Sequence, residues 1–270
     1  MTVPRPWSGV AYNQASESEN KIHSDAVARR YGFRGGLVPG VTVYAYLVQP
    51  AIEAWGMNWL ERGSANIILE KPLYDGRGFS VDVVTGDAPS YEGKVLDEDG
   101  MACARGSVGL ASEPAPAVEL CGRPRAPAPE LRPRASRAAL EELGENGLGA
   151  LQAEWSGRGD YDRYTRDLDA MPELLRPDGQ AFANPAFLLG LANAVLTHNL
   201  CLGPWIHVQS EVRNHAAVAS GSSLLVEAGI TDLQTRAGHE FVDLEVAVFI
   251  EPDSLAMTAS HRAIYKLREG

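Results

Sequence analysis

The feature that most constrains this chain is an internal repeat. Two long apolar helices are each followed by strands in the same order. The first helix reads VTVYAYLVQPAIEAW (41–55), after Val38-Pro39-Gly40; the second reads PAFLLGLANAVLTHN (185–199), after Phe182-Ala183-Asn184. Both are apolar on most faces, which marks helices surrounded by protein rather than lying on its surface. Pro185 suits the first helical position, where its missing N–H costs little. Pro50 lies mid-helix and predicts a kink or a break into two helices.

Strands follow each helix. ANIILEKPLY, GFSVDVVTG, SYEGKVLDEDG and MACARGSVGLA follow the first; PWIHVQSEV, SSLLVEAGI, HEFVDLEVAVFIEPDS and LAMTASHRAIYKL follow the second. Enrichment in Val, Ile, Leu and Thr with partial alternation supports strands. The turns DEDG (97–100) and EPDS (251–254) each join the last two strands as a hairpin. Each copy is preceded by a Trp-containing stretch, PWSGVAYNQ (6–14) and LQAEWSGRG (151–159). An apolar helix followed by about four antiparallel strands has one simple solution, a sheet curled around the helix. Such a unit leaves an edge and part of a face open, so two copies join as an internal dimer.

Between the copies lies PAPAVELCGRPRAPAPELRPR (114–134), where prolines alternate with Ala, Arg and Glu. It reads as a semi-rigid linker crossing the surface, attached through Val118 and Leu120. The expected division is residues 1–113, a linker over 114–134, and residues 135–270.

Composition excludes several classes. A net charge of −11 argues against sequence-independent nucleic-acid binding, which needs clustered cations. Cys103, Cys121 and Cys201 form no CxxC pair, so neither a metal site nor a disulfide framework is expected. Buried structural thiols in a reducing cytoplasm are the expectation. The amino terminus, MTVPRPWSGVAYNQ, lacks the apolar core of a signal peptide, and no apolar run is long enough to cross a bilayer. Gly35, Gly36 and Gly40 make no dinucleotide fingerprint after a strand. No cofactor is expected.

The stretch Asn20 to Gly40, NKIHSDAVARRYGFRGGLVPG, resembles the MaoC-like dehydratases, the (R)-specific enoyl-CoA hydratase family of the hotdog fold. The matching positions are Asn20, His23, Asp25, Gly32-Phe33, and Val38 with Gly40. Ser18 stands where the family has its catalytic Asp, and Pro39 where it commonly has a His before the Gly. The resemblance implies an α+β double hotdog. It also implies a hydro-lyase adding water to, or removing it from, an acyl thioester carried by CoA or acyl carrier protein.

In such a site His23 moves protons, since imidazole titrates near neutral pH. Asn20 orients His23 or the water. The helix start after Pro39 binds the thioester oxygen through the free N–H groups of Gly40 and Val41. Ser18 cannot serve as a base near pH 7, and Glu19 is the nearby carboxylate that a one-residue bulge would bring inward. Asp25 by itself reads as the N-cap of AVARRYG, with Gly32 ending that helix. His198 reads as a helix-end cation, while His207, His215, His239 and His261 show no metal-ligand spacing.

The second copy lacks the Asn/His constellation, so one site is expected, with the second copy completing the acyl tunnel. Arg34, Arg62, Lys71 and Arg213 are candidates for the carrier's phosphates by composition and loop location alone. Two other functions stay open. One is a catalytically degenerate acyl-thioester binder or structural subunit, motivated by Ser18 and Pro39. The other is a thioesterase with a carboxylate on the central helix, where Glu53 is the only acid. An internal dimer closes its own interface, and a homodimer of such subunits remains open.

Overall fold

A computed structural model describes residues 2–86, 89–112, 118–156, 164–177 and 181–268. Ten strands form one continuous sheet. The amino-terminal strands are β1 (Trp7–Val10), β2 (Gly63–Leu69), β3 (Gly78–Thr85), β4 (Ser90–Asp97) and β5 (Ala102–Leu110). The carboxy-terminal strands are β6 (Leu151–Trp155), β7 (Ile206–Asn214), β8 (Ser222–Arg236), β9 (His239–Ile250) and β10 (Ser254–Lys266). Their order is β1-β3-β4-β5-β2-β7-β10-β9-β8-β6. The expected hairpins are present, β4 to β5 across 97–100 and β9 to β10 across 251–254. The Trp-containing stretches that open each copy supply the two outermost strands.

The halves join where β2 runs antiparallel to β7, with Ala65 opposite Val212 and Ile68 opposite Gln209. Two helices fill the curled sheet: α2 (Gly40–Trp55) and, numbered by chain order, α5 (Pro185–Asn199). The shorter helices are α1 (Asp25–Arg30), α3 (Met57–Arg62) and α4 (Arg137–Asn146). α2 and α5 pack on each other, and one apolar cluster runs through both halves. Tyr44, Tyr46 and Trp55 belong to it, as expected of core aromatics. Asn184 caps α5 by accepting from Ala186 N at 2.8 Å, with Pro185 in the first turn.

Pro50 does not divide its helix; the break comes at Gly56, whose φ is +53°. The sheet compensates for the missing donor. Proline at 50 leaves the Tyr46 carbonyl, four residues earlier, without its helical N–H. The Trp7 indole N–H donates to that carbonyl at 3.1 Å, and the Tyr91 hydroxyl donates to the next, Leu47 O, at 2.6 Å.

The linker's first residues, 114–117, lie outside the described residues; from Val118 onward it follows the surface of the second half. It is attached by hydrogen bonds; Val118 is 39% exposed and Leu120 half-buried. Cys121 N and Arg123 N donate to the buried Glu227 carboxylate at 2.7 and 2.8 Å, and Arg132 donates to Thr197 O at 2.6 Å. Short parallel bridges to Ala150 and Cys201 pair part of this extended, proline-punctuated backbone, and a carboxylate supplies partners for Cys121 and Arg123. Glu227→Ala removes the acceptor and leaves two N–H groups unpaired. It is expected to cost about 2 kcal/mol in urea unfolding.

Of the three thiols, only Cys103 is buried; Cys121 and Cys201 are exposed, against the expectation of buried thiols, because both lie where the linker crosses the surface. Among the described residues, no helix is long and apolar enough to cross a membrane.

Candidate functional site

The segment 20–37 folds around one imidazole. Asn20 caps a short 3-10 turn, Lys21–His23, accepting from Ile22 N at 3.4 Å. The same side chain pairs with the second half in both directions. It donates to Trp205 O at 3.0 Å and accepts from Trp205 N at 3.2 Å. That pairing fixes which end of the amide is oxygen, because one contact requires a donor and the other an acceptor.

His23 is held from both sides of its ring. Nδ1 lies 2.7 Å from Leu37 O, an acceptor only, so Nδ1 carries the proton. Nε2 lies 3.3 Å from Asn20 Nδ2, a donor, and therefore keeps its lone pair. Burial lowers the His23 pKa, opposed by the Leu37 carbonyl. The ring is a neutral base at neutral pH.

The backbone beneath it is as constrained. Asn13 donates to His23 O at 2.9 Å, and a Cβ on Gly36 would lie 2.0 Å from that same oxygen. Asp25 is not the helix cap it was expected to be. Ser24 occupies that position, and Asp25 instead accepts Gly36 N at 2.8 Å, tying the start of α1 to the glycine loop. Gly32, at φ +84°, follows α1 as expected.

Asn20 and His23 open onto a cavity of about 230 Å³. Its wall also includes Pro39 and Gly40 at the start of α2, and Asn193 and His207 from the second half. Thr42 N and Val43 N both bond to Pro39 O. The N–H groups of Gly40 and Val41 have no acceptor among the described residues, as the start of a helix requires. Val41 itself is buried rather than lining the cavity.

The other expected residues are placed elsewhere. The Ser18 hydroxyl donates to Asn20 O at 3.3 Å and does not line the cavity. Glu19 is turned outward, 84% exposed at its side chain and 3.5 Å from Arg132. The acidic residue on the cavity wall is Glu70, whose carboxylate bonds Arg105 at 2.5 Å. Of the four candidate phosphate-binding cations, Lys71 borders the cavity. Arg34 lines an outer groove that His23 also borders, Arg62 pairs with Asn58, and Arg213 lies at the β2–β7 seam. Among the described residues no group of three or more His, Cys, Asp or Glu side chains is placed to hold a metal.

Sequence reasoning passed over His207. It lies on β7, buried, with Nε2 2.8 Å from the Ser210 hydroxyl, which is in turn 2.8 Å from His261 Nδ1 on β10. The two rings stack at 4.3 Å. Burial lowers both histidines' pKa, His261 to about 3, and the His261 ring further lowers that of His207. The available signal was polar residues at inward strand positions; spacing along the chain cannot show that antiparallel pairing sets His261 beside Ser210.

No protein-family model and no curated protein sequence matches the chain. Solved structures do match along nearly its whole length. The conserved protein RV0216 of Mycobacterium tuberculosis, described as having a double hotdog fold, aligns at a TM-score of 0.59 and 15% identity, over 98% of this chain and 96% of its own. A candidate MaoC domain dehydratase from Chloroflexus aurantiacus aligns at 0.58 and 10% identity, over 100% and 95%. The dehydratase domain of PpsC from Mycobacterium tuberculosis, solved with C12:1-CoA, aligns at 0.54 and 12% identity, over 97% and 93%. The chain is a double hotdog.

This double hotdog is asymmetric in its cavities. The place at the start of α5 that corresponds to the His23 cavity holds only about 10 Å³, packed by Tyr44, Trp59, Phe182 and Leu188. α3, which carries Trp59, fills it. A further cavity of about 280 Å³ lies across α2, bordered by Trp7, Tyr46, Phe79 and Arg166; no histidine lines it among the described residues. His23 borders both the cavity at the start of α2 and an outer groove of about 520 Å³, and only the former is also walled by His207 and Gly40.

Proposed function

We propose that the protein is a MaoC-like hydratase or dehydratase acting on an enoyl or 3-hydroxyacyl thioester of CoA or acyl carrier protein, with an altered acid–base pair. The amino-terminal copy carries the chemistry and the carboxy-terminal copy walls the acyl tunnel. The observation that carries this reading is the neutral His23 ring on the wall of a cavity that reaches Gly40 at the start of α2. The PpsC dehydratase domain, of the same fold, was solved with an acyl-CoA bound.

One imidazole suffices for a balanced cycle. In hydration, His23 Nε2 takes a proton from water as its oxygen bonds to C3 of the enoyl group. The C2–C3 π electrons move toward the carbonyl, giving an enolate. Its oxygen is held by the Gly40 and Val41 N–H groups, at the positive end of α2. The imidazolium then returns a proton to C2. Dehydration is the reverse. Asn20 holds the ring through an amide N–H that water displaces from Nε2 on binding, Pro39 shapes the turn, and Ser18 supports the Asn20 carbonyl. Lacking the second acid–base group costs roughly 100- to 10,000-fold relative to a two-residue site, which predicts a slow enzyme.

The second reading is a thioester binder without turnover, favoured by Ser18 in the position of the usual Asp and by the outward Glu19. Product analysis separates the readings. Crotonyl-CoA and longer enoyl-CoAs are expected to yield 3-hydroxyacyl-CoA. Tight binding with no product supports the binder, and release of free CoA indicates a thioesterase.

A further inference from the structure

Two buried side-chain atoms without a hydrogen-bond partner, His207 Nδ1 and Asn193 Oδ1, belong to residues on the wall of the His23 cavity, and both residues come from the carboxy-terminal half. A buried polar atom without a partner is costly, and next to a cavity its natural partner is a ligand. The placement of protons around Ser210 says which kind of partner His207 needs.

A serine hydroxyl donates once, and each neutral imidazole carries one N–H. His261 Nε2 also lacks a partner, and His261 does not line the cavity. If Ser210 donates to His261 Nδ1, the His261 proton must sit on Nε2, a buried N–H with no acceptor and no ligand within reach. If Ser210 accepts from both rings, its own hydroxyl proton lacks an acceptor. If Ser210 donates to His207 Nε2 and accepts from His261 Nδ1–H, only a lone pair is left over at His261. The His207 proton then sits on Nδ1, a buried atom of a residue that lines the cavity. This third arrangement places the unpaired N–H where a ligand can satisfy it.

Nδ1 also lies beside the start of α2: a Cβ on Gly40 would be 2.6 Å from it. We propose that the Nδ1–H of His207 donates a hydrogen bond to an oxygen of the bound acyl thioester, adding a donor from the carboxy-terminal half to the two backbone donors of α2. This rests on the thioester reading of the cavity. The ring acts as a neutral donor and transfers no proton. Giving one up would leave the His207–Ser210–His261 chain anionic in a buried site, and gaining one would set a cation against the positive end of α2. It is the carboxy-terminal half's polar contribution to a site whose usual carboxylate is missing.

The test is nitrogen-15 NMR of histidine-labelled protein, with crotonyl-CoA as the probe. In free protein His207 is expected to carry its proton on Nδ1. Crotonyl-CoA is expected to shift the His207 Nδ1 and His23 Nε2 signals while His261 keeps its tautomer. His207→Asn, whose amide can still donate, should bind crotonyl-CoA within about threefold of wild type, and His207→Leu about tenfold more weakly. A His207 protonated on Nε2 overturns the proposal without involving any variant's folding. So does a shift at His23 with none at His207, which leaves the thioester reading standing. No shift at either ring with saturating probe removes both.

Discussion

Unfolding in urea at pH 5.0 is expected to show about 4 kcal/mol less stability than at pH 7.5. The cause is the pair His207 and His261, both buried and both held neutral in the folded protein. In the unfolded chain each imidazole takes up a proton as pH falls below about 6.5. A base whose folded pKa is lowered loses stability as pH falls, since only the unfolded state gains the proton. Each such histidine contributes about 1.4 kcal/mol per pH unit below that point. The loss begins near the unfolded pKa and continues toward the His261 folded pKa of about 3. Burial of His23 adds in the same direction. His261→Phe should remove roughly half of the slope. Equal stability at the two pH values would mean that the pair is not buried and neutral.

Gly36→Ala is expected to disable the site more than it unfolds the protein. The new methyl would meet His23 O at 2.0 Å and the carbonyl carbon at 2.7 Å, and these are backbone atoms that cannot rotate away. The loop must move, and with it the ring held by Leu37 O and the Asp25–Gly36 tie. Overpacking of this kind costs about 1–3 kcal/mol. A displacement of about 1 Å at a reacting group costs about 100-fold in rate. Thermal unfolding and crotonyl-CoA hydration measured on one sample would show a modest loss in the first and a large loss in the second. Unchanged turnover would mean that the glycine loop does not position His23.

Much of the architecture was legible because the repeat is written in hydrophobic pattern. The two apolar helices, the strands after them and the hairpin turns all follow from local periodicity. The fate of Pro50 was not, since what relieves it is the Trp7 indole, a donor 43 residues away. At the site, Asn20 and His23 lie close in sequence and share one turn, so their spacing carried the signal. The Trp205 contact and the His207–Ser210–His261 chain depend on how β7 meets its neighbours. The role of Asp25 was misassigned because a carboxylate at a helix start reads as a cap, whereas here the nearest unpaired donor is Gly36 N in the following loop.

Everything functional depends on the His23 Nε2 lone pair working on an acyl thioester in the cavity at the start of α2. Initial rates of crotonyl-CoA hydration by wild type and by His23→Ala, with binding measured on the same preparations, test this most directly. The expected result is measurable hydration by wild type, reduced about 100- to 10,000-fold in the variant while crotonyl-CoA affinity changes little. Equal rates in the two proteins, or no hydration by wild type, would contradict it.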